Sequence, residues 1–227
     1  MNIYTLSFAV LGGVIPALFW LWFWLHEDNK SPEPKPLIAK AFLMGIVAVA
    51  LVLPFQKLIH SYFVDFPFLL IFLWAAVEEI FKFGAVYFVI FHRKEIDEPI
   101  DAVVYLITAA LGFVALENTM YLFLPIAEAG IADSIITGNL RFIGASLLHV
   151  IASSSVGICI AFAFYREPRI RRAYIILGLF IATALHTAFN LSIMSGNGEN
   201  TLIVFSMLWL AIVGLMLFFE KIKSLAH

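Results

Sequence analysis

Seven long apolar runs divide this chain, and their spacing leaves room for little else. They run Ile3–Leu25, Leu37–His60, Pro67–Phe91, Ile100–Leu124, Leu140–Phe164, Ala173–Met194 and Thr201–Phe219. About 20 predominantly apolar residues suffice to cross a bilayer as a helix. Each run is apolar on all sides, whereas a surface helix of a soluble domain carries a polar face. The breaks between them are short and polar: EDNKSPEPKP, SYFVDF, HRKEIDEP, PIAEAGIADSIITGN, YREPRIRR and SGNGEN. Composition agrees, because 63% of the 227 residues are hydrophobic and 13% charged, against about half and about a quarter in soluble domains. An interior of this size cannot hide 23 Phe and 5 Trp from water. A soluble enzyme, a nucleic-acid-binding protein and a disordered chain are excluded. The expectation is an all-α, polytopic helical bundle of about seven transmembrane helices, one domain over residues 1–227, multi-pass in the cell membrane with the lipid bilayer around it. The first run starts at once, without a positive leader, and is too long for a signal-peptide core. The single cysteine, Cys159, excludes an internal disulfide and a cysteine metal cluster.

The basic residues orient the bundle. Lys30, Lys35, Lys40, Arg93, Lys94, Arg166, Arg169, Arg171, Arg172, Lys221 and Lys223 follow runs one, three, five and seven. Only Lys57 and Arg141 fall near the opposite surface, where Arg141 reads as a snorkelling anchor. Basic residues gather on the cytoplasmic side, so the N-terminus is expected outside and the C-terminus in the cytoplasm. Trp20, Trp22 and Trp24 then fall at the inner aromatic belt, with Tyr4 and Tyr62 near the outer one.

Six ionisable residues lie inside the runs: Glu78, Glu79, Lys82, Glu117, His149 and His186. Each charge at mid-bilayer costs at least ~2.5–3.5 kcal/mol, so such groups face the bundle interior and mark function. Counted from the predicted outer ends at ~1.5 Å per residue, Glu78 lies roughly 17 Å deep, Glu117 roughly 11 Å, and both histidines roughly 14 Å. Four runs thus bring polar groups to one level. Glu78 and Lys82, His149 and Ser153, and His186 and Asn190 are i,i+4 pairs, each on one helix face. A buried ion pair could lock helices together, but two adjacent carboxylates exceed what a lock needs. Carboxylates, imidazoles and an amide around one point suit water activation with oxyanion stabilisation. No interior Asp completes a Ser–His–Asp set, and no HExxH motif is present. A zinc site from Glu117, His149 and His186 stays open on donor chemistry alone. A proton- or cation-coupled transporter is the other alternative, since buried Glu, His and Lys also form relays.

These motifs resemble the PrsW family of intramembrane proteases, a relative of the CAAX-prenyl-protease and bacteriocin-processing group. Glu78-Glu79-Ile80-Phe81-Lys82 resembles its EExxK block, and Glu98-Pro99-Ile100-Asp101, Gly112-Phe113 and Glu117-Asn118 its EPxD…GF…EN block. His149 is similar to the third block, and His186 to Asn190 to the closing HxxxN. The protease-like core spans about residues 67–195. Two departures from the broader group stand out. Lys82 is one residue closer to the glutamate pair than the Arg of EExxxR, and Glu117 stands where FxxxH has a histidine. The resemblance implies a glutamate-type, metal-independent peptidase without a cofactor, cutting a single-span membrane protein such as an anti-sigma factor near the outer surface. In that reading Glu78 is the general base, and Glu79, paired with Lys82, positions it. Glu117 and His149 complete the water-binding shell, and His186 and Asn190 donate to the oxyanion. Asp101, at the other end of its run, has a helix-end role.

Overall fold

The computed structural model describes residues 3–27, 31–129, 131–195 and 201–224, the side chains of 124–129, 131–143, 194, 195 and 201 excepted. Lys30 and the side chain of Arg141 therefore lie outside the described residues. Among the described residues there are seven helices: α1 (Ile3–Glu27), α2 (Lys35–Phe63), α3 (Pro67–Val89), α4 (Pro99–Ala129), α5 (Ile131–Phe162), α6 (Pro168–Ser195) and α7 (Thr201–Lys223). The fold is the expected all-α membrane bundle. Proline opens α3, α4 and α6 and sits in the first turn of α2, where its missing N–H would have had no helical partner. Six helices are long and apolar enough to cross a membrane by composition. The seventh, α3, carries Glu78, Glu79 and Lys82 in its middle, and this charge lowers its apolar character.

One expected loop is absent. PIAEAGIADSIITGN is helical on both sides of residue 130, because α4 continues to Ala129 and α5 starts at Ile131. Its Ala, Ile and Glu residues tolerate helix well, and polarity alone is a poor loop signal. The α6 start is also earlier than its apolar run, since Pro168 and the arginines behind it form the first turns.

The bundle has a centre and a rim. In its most apolar stretch α4 is 94% buried and α5 83%, against 17% for α1 and 22% for α7. The helix that carries Glu117 is therefore surrounded by protein. Close approach to it is secured by glycines, as in many membrane bundles. A Cβ on Gly112 would run into the Phe42 carbonyl of α2, and one on Gly45 into the Ala109 carbonyl of α4. A Cβ on Gly157 of α5 would lie 2.6 Å from the Val103 Cα. A second apolar cluster of Ala48, Val49, Val52, Ala85 and Phe113 joins α2, α3 and α4 beside the polar groups.

Several helix ends and connections meet at one end of the bundle. Lys223 Nζ donates to the Glu27 carbonyl at 2.7 Å, so α1 and α7 finish together. Ser31 Oγ donates to Glu98 at 3.2 Å and Tyr105 donates to Glu33, which join the α1–α2 and α3–α4 connections at that end. Asp101 has the helix-end role assigned to it: its Oδ2 accepts the backbone N–H groups of Asp97 (2.9 Å) and Glu98 (2.8 Å). This closes the approach into α4.

Candidate active site

Helical spacing puts Glu78, Glu79 and Lys82 on neighbouring faces of α3. The packing of α3 against α4, α5 and α6 brings the other polar groups to them. Glu79 has three side-chain partners. Its Oε1 accepts from Lys82 Nζ at 2.6 Å and meets His186 Nδ1 at 2.8 Å, while its Oε2 accepts from Ser153 Oγ at 3.0 Å. Lys82, with no exposed surface, turns its ammonium also toward His149 Nδ1 at 2.6 Å and lies 4.6 Å over the Phe113 ring. His149 Nε2 meets Glu117 Oε2 at 2.9 Å. The two imidazoles pack edge to face with centroids 4.9 Å apart.

Glu78 is bonded differently. Gln56 Nε2, from α2, donates to its Oε1 at 2.9 Å. Its Oε2 is buried with no hydrogen bond among the described residues, 3.7 Å from His186 Nε2 and 4.0 Å from Lys82 Nζ.

These partners assign the tautomers, which hydrogen-bond networks decide. An ammonium only donates, so His149 Nδ1 accepts from Lys82 and its Nε2–H donates to Glu117. A carboxylate only accepts, so His186 Nδ1–H donates to Glu79. The Nε2 of a neutral His186 then carries a bare lone pair. In that tautomer Glu78 Oε2 and His186 Nε2 are two acceptors that face each other across 3.7 Å. His186 in that tautomer keeps no N–H for an oxyanion, the role expected of it together with Asn190. Asn190 lies half-buried one turn further along α6 and makes no side-chain hydrogen bond among the described residues.

Of the seven residues predicted for the site, Glu78, Glu79, Lys82, Glu117, His149 and His186 form one connected cluster. Asn190 is beside it and not bonded into it. Sequence reasoning passed over Gln56 and Ser153's bond to Glu79. Gln56 is an amide within an apolar run, two residues after Pro54, and a search confined to ionisable groups overlooks it.

The donor set also meets the requirements of a divalent cation in part. Glu78, His149 and His186 each offer a ligand atom within 4.8 Å of the others; this set has Glu78 where the sequence expectation had Glu117. Glu78 Oε2 and His186 Nε2 fit directly, and Glu79 behind His186 orients the ring as a carboxylate behind a metal-binding histidine does. His149 fits only if Lys82 or Glu117 releases one of its nitrogens.

The family model described as "PrsW family intramembrane metalloprotease" matches residues 33–218, which include every helix that contributes to this cluster. The chain belongs to the PrsW family. It is similar to the protein named Protease PrsW from Geobacillus kaustophilus, 33% identical over 129 residues, covering 56% of this chain and 57% of that one. Longer matches join it to Protease PrsW of Halalkalibacterium halodurans (26% identity, 81% and 82% coverage) and of Bacillus subtilis (24%, 81% and 82%). No solved structure matches. Membership places this multi-pass chain among membrane proteases.

Proposed function

We propose that this chain is an intramembrane endopeptidase that cuts a membrane-tethered protein, such as a single-span anti-sigma factor, with water activated by Glu78. The basic end of the bundle faces the cytoplasm of the cell membrane, and the cut falls toward the outer surface. The observation that carries the mechanism is Glu78 Oε2, buried with no hydrogen bond among the described residues and 3.7 Å from His186 Nε2. A water between them donates one hydrogen to each and keeps a lone pair for the scissile carbonyl carbon. As the C–O bond forms, Glu78 takes the proton. The Asn190 amide donates to the developing oxyanion. Collapse of the tetrahedral intermediate breaks the C–N bond, and the proton held by Glu78 passes to the departing amine. Lys82 and Glu79 hold His149 and His186 in place throughout. Family membership favours this peptidase over the transporter.

The test is co-expression with a single-span substrate. Glu78→Gln is isosteric, so cleavage should vanish while the protein still inserts and purifies as a folded monodisperse species. Wild-type cleavage by Glu78→Gln would refute the mechanism.

A second reading is favoured by the convergence of Glu78, His149 and His186 and by the metalloprotease in the family's description. A divalent cation held by those three residues would supply a Lewis acid and an acidified water. Metal content decides between the two. The glutamate reading expects cleavage to survive chelation and purified active protein to hold no stoichiometric metal. Loss on chelation with recovery on adding zinc establishes the second reading instead.

A further inference from the structure

We infer that Gln56 is a positioning residue for Glu78, holding the plane of its carboxylate so that the unbonded oxygen faces the reacting water. Gln56 is gripped at two points by residues one turn apart on α3. Its side-chain Nε2 donates to Glu78 Oε1 at 2.9 Å, and its main-chain carbonyl accepts the Trp74 indole N–H at 3.0 Å. Trp74 also stacks on His60, one turn further along α2, with centroids 6.1 Å apart. The register of α2 against α3 is thereby fixed at the level of the glutamate pair. The consequence falls on Glu78. With Oε1 occupied, only Oε2 is left to face His186 at 3.7 Å and Lys82 at 4.0 Å. Without the amide, rotation about the last side-chain bond of Glu78 tilts the carboxylate plane at little cost, since such terminal torsions are broad. The carboxylate would then be free to swing out of line with His186. Glu79 needs no such helper, because Lys82, Ser153 and His186 already fix both its oxygens.

This inference rests on the reading of Glu78 as the reacting carboxylate, and the experiment separates the two. Full-length protein in detergent is compared as wild type, Gln56→Met, Trp74→Phe and Glu78→Gln, using one single-span membrane reporter that the wild type cleaves. Methionine keeps the length of the side chain and the main-chain carbonyl, and it removes only the amide donor. Trp74→Phe removes the main-chain clasp and leaves the amide. Misplacement of a catalytic group by a fraction of an ångström costs turnover, so Gln56→Met should lower kcat about tenfold with KM within about twofold. Trp74→Phe, which loosens the register of α2 against α3 but keeps the amide, should lower the melting midpoint at least as much while lowering kcat less than Gln56→Met does. Turnover of Gln56→Met within twofold of wild type overturns the inference. So does an equal loss of turnover in Trp74→Phe, which would make Gln56 a packing residue. Wild-type turnover in Glu78→Gln overturns the function proposed above, whatever Gln56→Met does.

Discussion

Replacing Lys82 with methionine should abolish cleavage and lower stability together, because one ammonium serves three partners. Methionine fills the volume of the lysine stem and adapts to its surroundings, so the loss is of charge and donors. Lys82 Nζ lies 2.6 Å from Glu79 Oε1 and 4.0 Å from Glu78 Oε2, with no exposed surface. At an effective dielectric of ~20, pairs of unit charges at these separations attract by roughly 6 and roughly 4 kcal/mol. The desolvation of the ammonium, which the variant avoids, offsets much of that sum. Removing one partner of a buried pair typically costs ~3–5 kcal/mol net, against a total stability of ~5–15 kcal/mol. His149 Nδ1 also loses its donor, and its bond to Glu117 is then free to change tautomer. Lys82→Met should therefore fold with a clearly lowered melting midpoint in detergent and leave a co-expressed single-span substrate uncut. Lys82→Arg keeps the charge but needs space in a fully buried site, so it should fold with reduced cleavage. A double-mutant cycle with Glu79→Gln isolates the pair: the double variant should be less destabilised than the sum of the singles. Wild-type cleavage and an unchanged midpoint for Lys82→Met would refute the reasoning, because the ammonium would then be a bystander.

Three other perturbations probe separate parts of the structure. Ser153→Ala removes the hydroxyl that donates to Glu79 Oε2; hydrogen bonds to charged groups contribute ~1.5–3 kcal/mol, and thermal unfolding should show a loss of that order with cleavage reduced and not abolished. Gly112→Ala forces a methyl group into the Phe42 backbone, and overpacking of this kind costs ~1–3 kcal/mol, read as a drop in melting midpoint that Gly214→Ala, where a Cβ meets nothing within 4 Å, should not share. Asp101→Ala strips the Asp97 and Glu98 N–H groups of their acceptor. It should cost ~1–2 kcal/mol as a lost cap does while leaving kcat unchanged, since Glu117 stands sixteen residues, about 24 Å, further along α4.

The sequence made the outline legible because membrane insertion penalises misplaced charge so heavily. Each ionisable residue kept inside an apolar run had to be bought by a partner, and six of them could be named without coordinates. Their i,i+3 and i,i+4 spacing on α3 also gave the Glu79–Lys82 pair directly. Other parts were not legible, for specific reasons. Whether Lys82 turns next to Glu78 or to His149 depends on how α3 and α5 face each other, which spacing within one helix cannot supply. Gln56 carries no charge, so it escaped a search based on the cost of burying ions, although its amide contacts the central carboxylate. The stretch on either side of residue 130 is helical although its polarity signals a loop, because polarity alone does not break a helix.

The adjacent glutamates show how one residue type acquires two chemistries from its neighbours. Glu79 holds three hydrogen-bonded partners drawn from α3, α5 and α6, so its carboxylate is an anchor joining three helices. Every one of those partners would have to move for it to exchange a proton with a substrate. Glu78 sits on the next position of the same helix and holds a single hydrogen bond from α2, with its second oxygen bare. A group that must take and return a proton within one catalytic cycle needs an oxygen with no prior commitment. On the proposed mechanism the fully bonded carboxylate of Glu79 holds His186, and Glu78, with an unbonded oxygen, does the chemistry. The order cannot be inverted by moving either residue one place. A shift of one position rotates a side chain about 100° around the helix, which would turn the bare oxygen away from His186.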